Sequence, residues 1–247
     1  MSNKLWDVIA DIKANCKFVE LSHEVSPETP HWSGFPDMSV ETMFDYPDGF
    51  FVNKFTLVSQ YGTHVDAPSH FVEGRRMLNE IGADEMILPL CVIDIVDKAQ
   101  ADHDYAASVD DIKAWEAEHG EIPAGSFVAL RTDWSKREDM DNMDAEGNKH
   151  YPAWSVDAIK YLVEEKGICA MGHETSDTDP PVIPGYLGET YILDQNHYQI
   201  ELLKNLDQVP ATGALFVAGF PRVKNGAGFT ARCFAIVPCC DDCCCEK

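Results

Sequence analysis

The sequence predicts an α/β protein with one domain, built on a mixed β-sheet with flanking helices. Apolar runs rich in Val, Ile and Phe recur at strand length, and segments with helical periodicity lie between them. No repeat, polar linker or change of composition divides the chain. With 247 residues, 45% of them hydrophobic, the chain can bury a substantial core. We expect residues 1–238 to form this domain.

The first predicted element is an amphipathic helix over residues 3–13, where apolar residues recur at helical spacing. A strand over residues 17–25 follows. Residues 26–49 contain four prolines and predict a long surface loop, because proline lacks an N–H donor and fixes φ. Apolar, β-branched runs predict further strands over residues 51–59, 86–96, 126–132, 168–172, 214–218 and 231–237.

Three helices are predicted between these strands. Residues 109–119 follow Ser108, which forms a capping-box pattern with Asp111, and a glycine ends the segment. The second helix covers residues 156–166, and the third begins near residue 195 and ends near residue 206. Alternation of strands and helices in this order is typical of an α/β fold.

The charge balance argues against two classes of partner. Lys and Arg number 19 against 42 Asp and Glu, which gives a formal net charge of −23. A field of that sign repels nucleic-acid phosphates and anionic membranes. The sequence also has no apolar run long enough to span a bilayer and no secretory signal pattern. We therefore expect a cytoplasmic protein that binds neither nucleic acid nor membrane.

The nine cysteines fall into two groups. Four lie in or beside apolar segments, where a free thiol behaves as a small hydrophobic side chain: Cys16, Cys91, Cys169 and Cys233. Five crowd into the last nine residues: Cys239, Cys240, Cys243, Cys244 and Cys245. We expect residues 239–247 to form a flexible tail that can bind adventitious metal.

The segment with the clearest chemistry begins at Gln60 and ends at Phe71, directly after a predicted strand. In an extended chain, side chains alternate between two faces, so Gln60, His64 and Asp66 point the same way. One imidazole, one carboxylate and one amide oxygen converging in this way predict a metal site with open positions. His70, after a proline turn, is a candidate general acid/base. Polar residues hydrogen-bonded at a strand end remain an alternative from spacing alone.

The same segment resembles the H-x-G-T-H-x-D-x-P-x-H signature of the metal-dependent cyclase family, which includes bacterial kynurenine formamidases and isatin hydrolases. The match consists of Gly62-Thr63-His64, Asp66, Pro68 and His70. Further similarity lies at 21–23, 86–90, 129–135 and 201–207, and the pattern is closer to the isatin hydrolase branch. The resemblance implies a barrel-like core of the swivelling β/β/α type, and Glu201 as the glutamate that reaches the metal.

One difference from the family signature affects which metal ion we expect. Gln60 stands where the family signature has its first histidine, and no secure counterpart exists for a further metal histidine of the formamidases. The remaining donors are rich in oxygen, which favours a single ion such as Mn²⁺ over tetrahedral Zn²⁺, the alternative. We expect one divalent ion held by Gln60, His64 and Asp66. Glu201 either binds that ion or orients the water.

The resemblance implies hydrolysis of a small, neutral, aromatic cyclic amide, with isatin opening to isatinate as the favoured reaction. In that reaction His70 exchanges the proton and Glu201 assists. The alternatives are an arylformamidase acting on N-formylkynurenine, another cyclic imide or lactone hydrolase, and a metal-binding protein without turnover. Residues expected near the substrate are His23, Trp32, Phe35, Trp134 and His173. By resemblance we also expect a homodimer, in which the loop at 26–49 crosses to its neighbour.

Overall fold

The computed structural model describes residues 3–239, which form thirteen strands, five α-helices and several short turns of 3₁₀-helix. The strands are β1 (Cys16–Glu20), β2 (Ser39–Phe44), β3 (Val52–Thr56), β4 (His64–Asp66), β5 (Ile87–Asp94), β6 (Ala106–Ala107), β7 (Phe127–Arg131), β8 (Ala153–Trp154), β9 (Ala170–His173), β10 (Tyr198–Glu201), β11 (Ala214–Gly219), β12 (Gly228–Thr230) and β13 (Arg232–Pro238). The helices are α1 (Lys4–Asn15), α2 (Val96–Ala101), α3 (Val109–His119), α4 (Val156–Lys160), which continues as a π-helical turn over Tyr161–Glu165, and α5 (Leu187–Asp194).

Nine of these strands form one mixed sheet in the order β1-β13-β11-β5-β7-β9-β10-β4-β12. The central strands β5, β7, β9 and β10 are parallel, and both flanks are antiparallel. The predicted α/β class with a mixed, barrel-like sheet is confirmed. The remaining strands form two small separate pairs, β2 with β3 and β6 with β8.

Apolar side chains cover both faces of the central strands. On β7, Phe127 and Ala129 belong to one core cluster, and Val128 and Leu130 belong to the other. The first cluster lies inside the curled sheet, where Phe127 stacks on Phe216 of β11 with ring centroids 3.7 Å apart. The second lies beneath α3, α4 and α5. Burial on both faces explains why β7 appears in the sequence as a continuous apolar run.

Most predicted elements are present, including the capping box of α3, in which Ser108 accepts a hydrogen bond from the Asp111 N–H. The prediction of a helix from residue 195 to residue 206 was wrong. The helix there is α5, which ends at Asp194, and β10 follows. Along β10, Tyr198 and Ile200 pack into the inner core, while Gln199 and Glu201 face the opposite side. This period-2 alternation is that of a strand.

The predicted loop over residues 26–49 also contains a strand that sequence analysis missed. β2 pairs with β3 as a hairpin, and the four prolines of the segment lie outside both strands. Every residue of β2 is exposed, so the strand lacks the buried apolar pattern by which strands are recognised. Large apolar side chains are exposed on this hairpin and on α1, including Phe51, Phe55 and Trp6. The tail predicted over residues 239–247 lies, apart from Cys239, outside the described residues.

Candidate metal and active site

Two neighbouring strands, β4 and β10, bring the polar residues of the site onto one face of the sheet. In β4, His64 lies opposite Glu201 of β10, and Asp66 lies opposite Gln199. Both β4 residues are buried, as is Val65, which faces the inner core. The site is therefore built by strand register, since cross-strand partners point to the same side of a sheet.

His64, Asp66 and Glu201 form a cluster whose potential ligand atoms all lie within 4.8 Å of one another. The Nε2 atom of His64 lies 3.5 Å from Asp66 Oδ2 and 3.4 Å from Glu201 Oε2. These three side chains are each less than a tenth exposed. One imidazole and two carboxylates in this arrangement can hold a divalent cation and leave positions for other ligands.

The tautomer of His64 suits this role. Its Nδ1 lies 2.7 Å from the backbone carbonyl oxygen of Gly62, a contact that requires a hydrogen on Nδ1. The lone pair of Nε2 is therefore directed at the cluster, as in histidine ligands oriented by a carbonyl. Gly62 adopts φ +64°, and a side chain there would meet Thr29. The glycine thus permits the turn that presents this carbonyl.

The electrostatics of the cluster call for positive charge. Burial raises the pKa of Glu201 well above its usual value, although His64 opposes this shift. Burial lowers the pKa of His64, but Asp66 and Glu201 outweigh it and raise that pKa well above its usual value. Asp66 Oδ1 is buried and accepts no hydrogen bond from the described residues. An unsatisfied carboxylate oxygen among buried acids is expected where a cation binds.

Gln199 supports the carboxylates from behind, and sequence analysis missed it. Its side chain is fully buried, and its Nε2 lies 3.2 Å from Asp66 Oδ2, 2.9 Å from Glu189 Oε1 and 3.1 Å from Glu201 Oε1. Its Oε1 accepts a hydrogen bond from Thr178. The signal available in the sequence was the spacing of two between Gln199 and Glu201, which has meaning only on a strand.

Glu189 is a second residue that sequence analysis missed. It lies in the first turn of α5 and is 3% exposed. The carboxylate of Asp179 accepts hydrogen bonds from the backbone N–H groups of Gly188 and Glu189, at 2.7 and 2.9 Å, and so holds this turn in place. Glu189 groups with Asp66 and His70 as a further set of possible ligands. Burial and the nearby Glu201 and Asp66 raise its pKa well above the usual value.

His70 and Gln60 lie together at the edge of the cluster. The Nε2 of Gln60 lies 3.2 Å from His70 Nδ1, and its Oε1 accepts a hydrogen bond from Ser59. An amide nitrogen only donates, so His70 Nδ1 carries the lone pair in this contact. His70 Nε2 lies 3.7 Å from Asp66 Oδ1. A Cβ on Gly228, opposite Asp66 in β12, would lie 2.6 Å from the Gln60 amide, so the glycine leaves room for it.

A cavity of about 250 Å³ opens over this cluster. Part of its wall is aromatic: Trp32 and Phe35 contact each other edge to face, and Phe71 meets Tyr186 in the same way. Its lining comprises Trp32, Phe35, Gln60, His64, His70, Phe71, Ser176, Asp177, Tyr186, Glu189 and Glu201. The cavity suits a flat aromatic molecule with one reactive polar edge.

Of the five residues expected near the substrate, only Trp32 and Phe35 line this cavity. His23 lines another depression, and its backbone N–H donates to Thr63 Oγ1. Trp134 is buried against His103 and Arg137. His173 lies behind the cluster, where its Nε2 is 3.1 Å from Thr178 Oγ1 and 3.7 Å from Glu201 Oε1.

Comparison with known proteins identifies the family to which this chain belongs. The family model described as "Putative cyclase" matches residues 19–180. The isatin hydrolase of Roseibium aggregatum is 32% identical over 249 residues, which covers 92% of this chain and 94% of that protein. The chain therefore belongs to the cyclase family, as its motif predicted.

Solved structures of isatin hydrolases are similar to this chain in fold as well as in sequence. Isatin hydrolase A from Labrenzia aggregata, bound to benzyl benzoate, has a TM-score of 0.89 at 31% identity and covers 96% of this chain and 100% of its own. An isatin hydrolase bound to the product analogue thioisatinate has the same TM-score, identity and coverage. Within the cyclase family, this chain thus shares its whole fold with isatin hydrolases. No helix among the described residues is long and apolar enough to cross a membrane.

Proposed function

We propose that this chain is a metal-dependent hydrolase that opens isatin to isatinate by cleaving the C–N bond of the cyclic amide. The observation that carries the proposal is the cluster of His64, Asp66 and Glu201 beside His70, at the base of an aromatic cavity. Similarity to isatin hydrolases over nearly the whole chain supports the choice of substrate.

We propose that one divalent ion, Mn²⁺ in preference to Zn²⁺, is held by His64, Asp66 and Glu201. The unpartnered Oδ1 of Asp66 and the excess of carboxylate oxygen over nitrogen support this choice. Such an ion supplies Lewis acidity, which polarises the amide carbonyl and makes water more acidic. Gln60 as a further ligand stays a prediction, because its amide contacts Ser59 and His70.

The side chains around the cluster have different roles in the proposed reaction. Trp32 and Phe35 hold the aromatic ring, and the carbonyl faces the cluster. His70 takes a proton from the attacking water and delivers it to the nitrogen as the C–N bond breaks. Protonation matters because an arylamine leaves poorly as an anion. Gln199 keeps the carboxylates in position.

The test combines metal analysis with an isatin assay on the same preparation, with N-formylkynurenine and a lactone as comparison substrates. We expect one Mn²⁺ for each chain and turnover of isatin in preference to both comparisons. His70→Ala should keep the metal and lose about 10²- to 10⁴-fold in kcat, whereas His64→Ala should lose the metal. Preference for N-formylkynurenine would instead identify an arylformamidase, and near-normal turnover by His70→Ala would refute the role of His70.

We also propose that the protein is a homodimer in the cytoplasm. The exposed apolar side chains on the β2–β3 hairpin, among them Met43, Phe44, Phe51 and Phe55, support an interface there. Within residues 3–239, four cysteines without a disulfide, two of them buried, support a reducing compartment: Cys16, Cys91, Cys169 and Cys233.

A further inference from the structure

Asp177 is a carboxylate on the cavity wall that belongs to neither group of possible metal ligands and that the proposed reaction leaves unused. It lies on the loop after β9, apart from the strands that carry the metal cluster. The hydroxyl of Tyr151 donates a hydrogen bond to its Oδ2, and Tyr151 itself is fully buried. No described residue donates a hydrogen bond to Oδ1. The Tyr151 hydroxyl therefore orients the carboxylate and leaves one acceptor atom for a ligand.

The neighbouring residue strengthens this observation. Ser176 also lines the cavity and is 8% exposed, and its Oγ is buried without a hydrogen-bond partner among the described residues. A buried hydroxyl without a partner is unusual, and this one belongs to the residue next to the half-buried Asp177. Polar groups placed in this way in an otherwise aromatic cavity fix the orientation of a bound molecule.

The charge of Asp177 defines which ligand atom it can meet. Burial raises its pKa to about 6, against the opposing effects of the Tyr151 hydroxyl and Lys149. At neutral pH the group is therefore mainly a carboxylate, which accepts hydrogen bonds and cannot donate them. A ligand must present a donor at this position.

We infer that Asp177 recognises the ring N–H next to the scissile carbonyl and thereby selects cyclic amides over esters and N-substituted amides. The inference rests on the proposed function, because it takes isatin as the molecule in the cavity. Isatin carries a single N–H, bonded directly to the carbonyl carbon that is attacked. A hydrogen bond from this N–H to Asp177 Oδ1 fixes which of the two carbonyl groups faces the cluster and His70.

This arrangement also explains how other substrates are rejected. A lactone has no N–H, and an N-methyl amide replaces the donor by an apolar group. Either compound would leave the Asp177 carboxylate desolvated and unpaired, which costs more than the loss of an ordinary hydrogen bond. Selectivity then comes from the cavity wall, while the chemistry comes from the metal cluster.

The test compares isatin with N-methylisatin in the metal-loaded wild type and in Asp177→Ala. The wild type should prefer isatin by about 10- to 100-fold in kcat/KM, as expected for one hydrogen bond to a charged acceptor. In Asp177→Ala the preference should fall to within about threefold, through loss of activity on isatin alone. Asp177→Asn keeps an acceptor oxygen and the shape of the side chain, and should give an intermediate ratio.

A merely structural role for Asp177 predicts a different result, in which both substrates lose activity in parallel and the ratio stays at the wild-type value. Asp179→Asn is the matched control on the same loop, because Asp179 is buried but does not line the cavity. Because Asp179 also caps α5, this variant should lower activity on both substrates alike and leave the ratio unchanged. A wild-type ratio near unity would overturn the inference.

Dissociation constants measured in the His70→Ala background, where turnover is slow, provide a second readout that separates the two proposals. Tighter binding of isatin than of N-methylisatin, abolished by Asp177→Ala, supports recognition of the N–H. Absence of isatin turnover by the wild type would count against the proposed function alone. Equal affinity for the two compounds in the presence of Asp177 would count against the inference alone.

Discussion

Gln60 is the residue for which motif and structure suggest different roles. In the motif it occupies a ligand position, whereas in the structure its amide oxygen accepts from Ser59 and its amide nitrogen lies 3.2 Å from His70 Nδ1. These contacts would orient the imidazole. Carboxamide contacts of this kind determine which nitrogen of a histidine carries the proton.

Replacement of Gln60 by alanine separates the two roles. We expect the metal content to stay at the wild-type level and kcat to fall by about 10- to 100-fold, because His70 loses the donor that orients it. Metal analysis and the isatin assay on one preparation measure both quantities. Loss of the metal together with activity would show that Gln60 is a ligand after all.

The proposed ligands His64 and Asp66 could be found from the sequence because they lie two positions apart in a short, recognisable motif. Glu189 and Gln199 could not, since each reaches the site through tertiary structure. Glu189 depends on how α5 begins, and that turn is held by Asp179, ten residues earlier. Gln199 depends on the register of β10 against β4. Buried acids and amides have no periodicity that distinguishes them from surface residues in a sequence.

At the level of secondary structure, α5 connects the stability of the fold to the site. Its first turn leaves backbone N–H groups without helical partners, and the buried Asp179 carboxylate accepts from two of them. Glu189 lies in this same turn. A loss of the cap therefore disturbs a side chain that approaches Asp66 and His70.

Asp179→Ala should lower the free energy of unfolding by about 1–2 kcal/mol, the usual contribution of a capping side chain, and also weaken metal binding. Urea unfolding and titration with a metal chelator give the two quantities. Ser108→Ala is the matched control, because it removes the cap of α3, which lies away from the cavity. This variant should lose comparable stability with no change in metal affinity, and an equal effect of both variants on the metal would contradict the argument.

Elements with strong local signals were predicted well, and those that depend on pairing were not. The capping box and the terminal glycine of α3 are local, so its bounds follow from the sequence. The residues around position 198 contain apolar side chains at spacings compatible with a short helix or a strand. These residues form a strand because they pair with β9 and β4. β2 was also missed, because all its residues are exposed and its pairing with β3 defines it as a strand.

For the whole molecule, the concentration of buried acid predicts how stability depends on pH when the metal is removed. The folded-state pKa values of Glu189 and Glu201 lie well above 4.5, so the folded protein binds more protons than the unfolded chain above that pH. Stability must then fall as pH rises. The pKa of His64 is also raised in the folded protein. Above pH 6.5, the usual pKa of histidine, this residue therefore also makes stability fall as pH rises.

Below pH 6.5 the lowered pKa values of His23, His173 and His197 act in the opposite direction. Chelator-treated protein should therefore show a decreasing urea midpoint between about pH 6.5 and pH 8, and added Mn²⁺ should restore it by binding the folded state. Glu201→Gln removes one of the buried charges and should flatten the dependence in the metal-free protein. A midpoint that rises with pH in the chelated wild type would show that these carboxylates are not held protonated in the fold.

The exposed apolar side chains of the β2–β3 hairpin predict that the protein forms a dimer. Light scattering should give twice the chain mass of 27.5 kDa. Phe51→Asp, on the hairpin, should yield monomers, because it places a charge in the proposed interface. Phe18→Asp is a close control, since Phe18 on β1 is 51% exposed and Phe51 is 50% exposed. Dissociation by Phe18→Asp alone would place the interface at β1 instead of at the hairpin.

The strand register around β4 also has a consequence for the order in which the protein acquires its chemistry. Thr63 donates a hydrogen bond to Leu202, 139 residues away, and Thr230 donates one to Tyr61 across 169 residues. Contacts of such sequence separation form late, because long loops must close first. During synthesis, the motif at 60–70 thus leaves the ribosome long before the strands that complete it. Nascent chains shorter than about 200 residues lack Glu201 and β12, and so should not yet hold the ion.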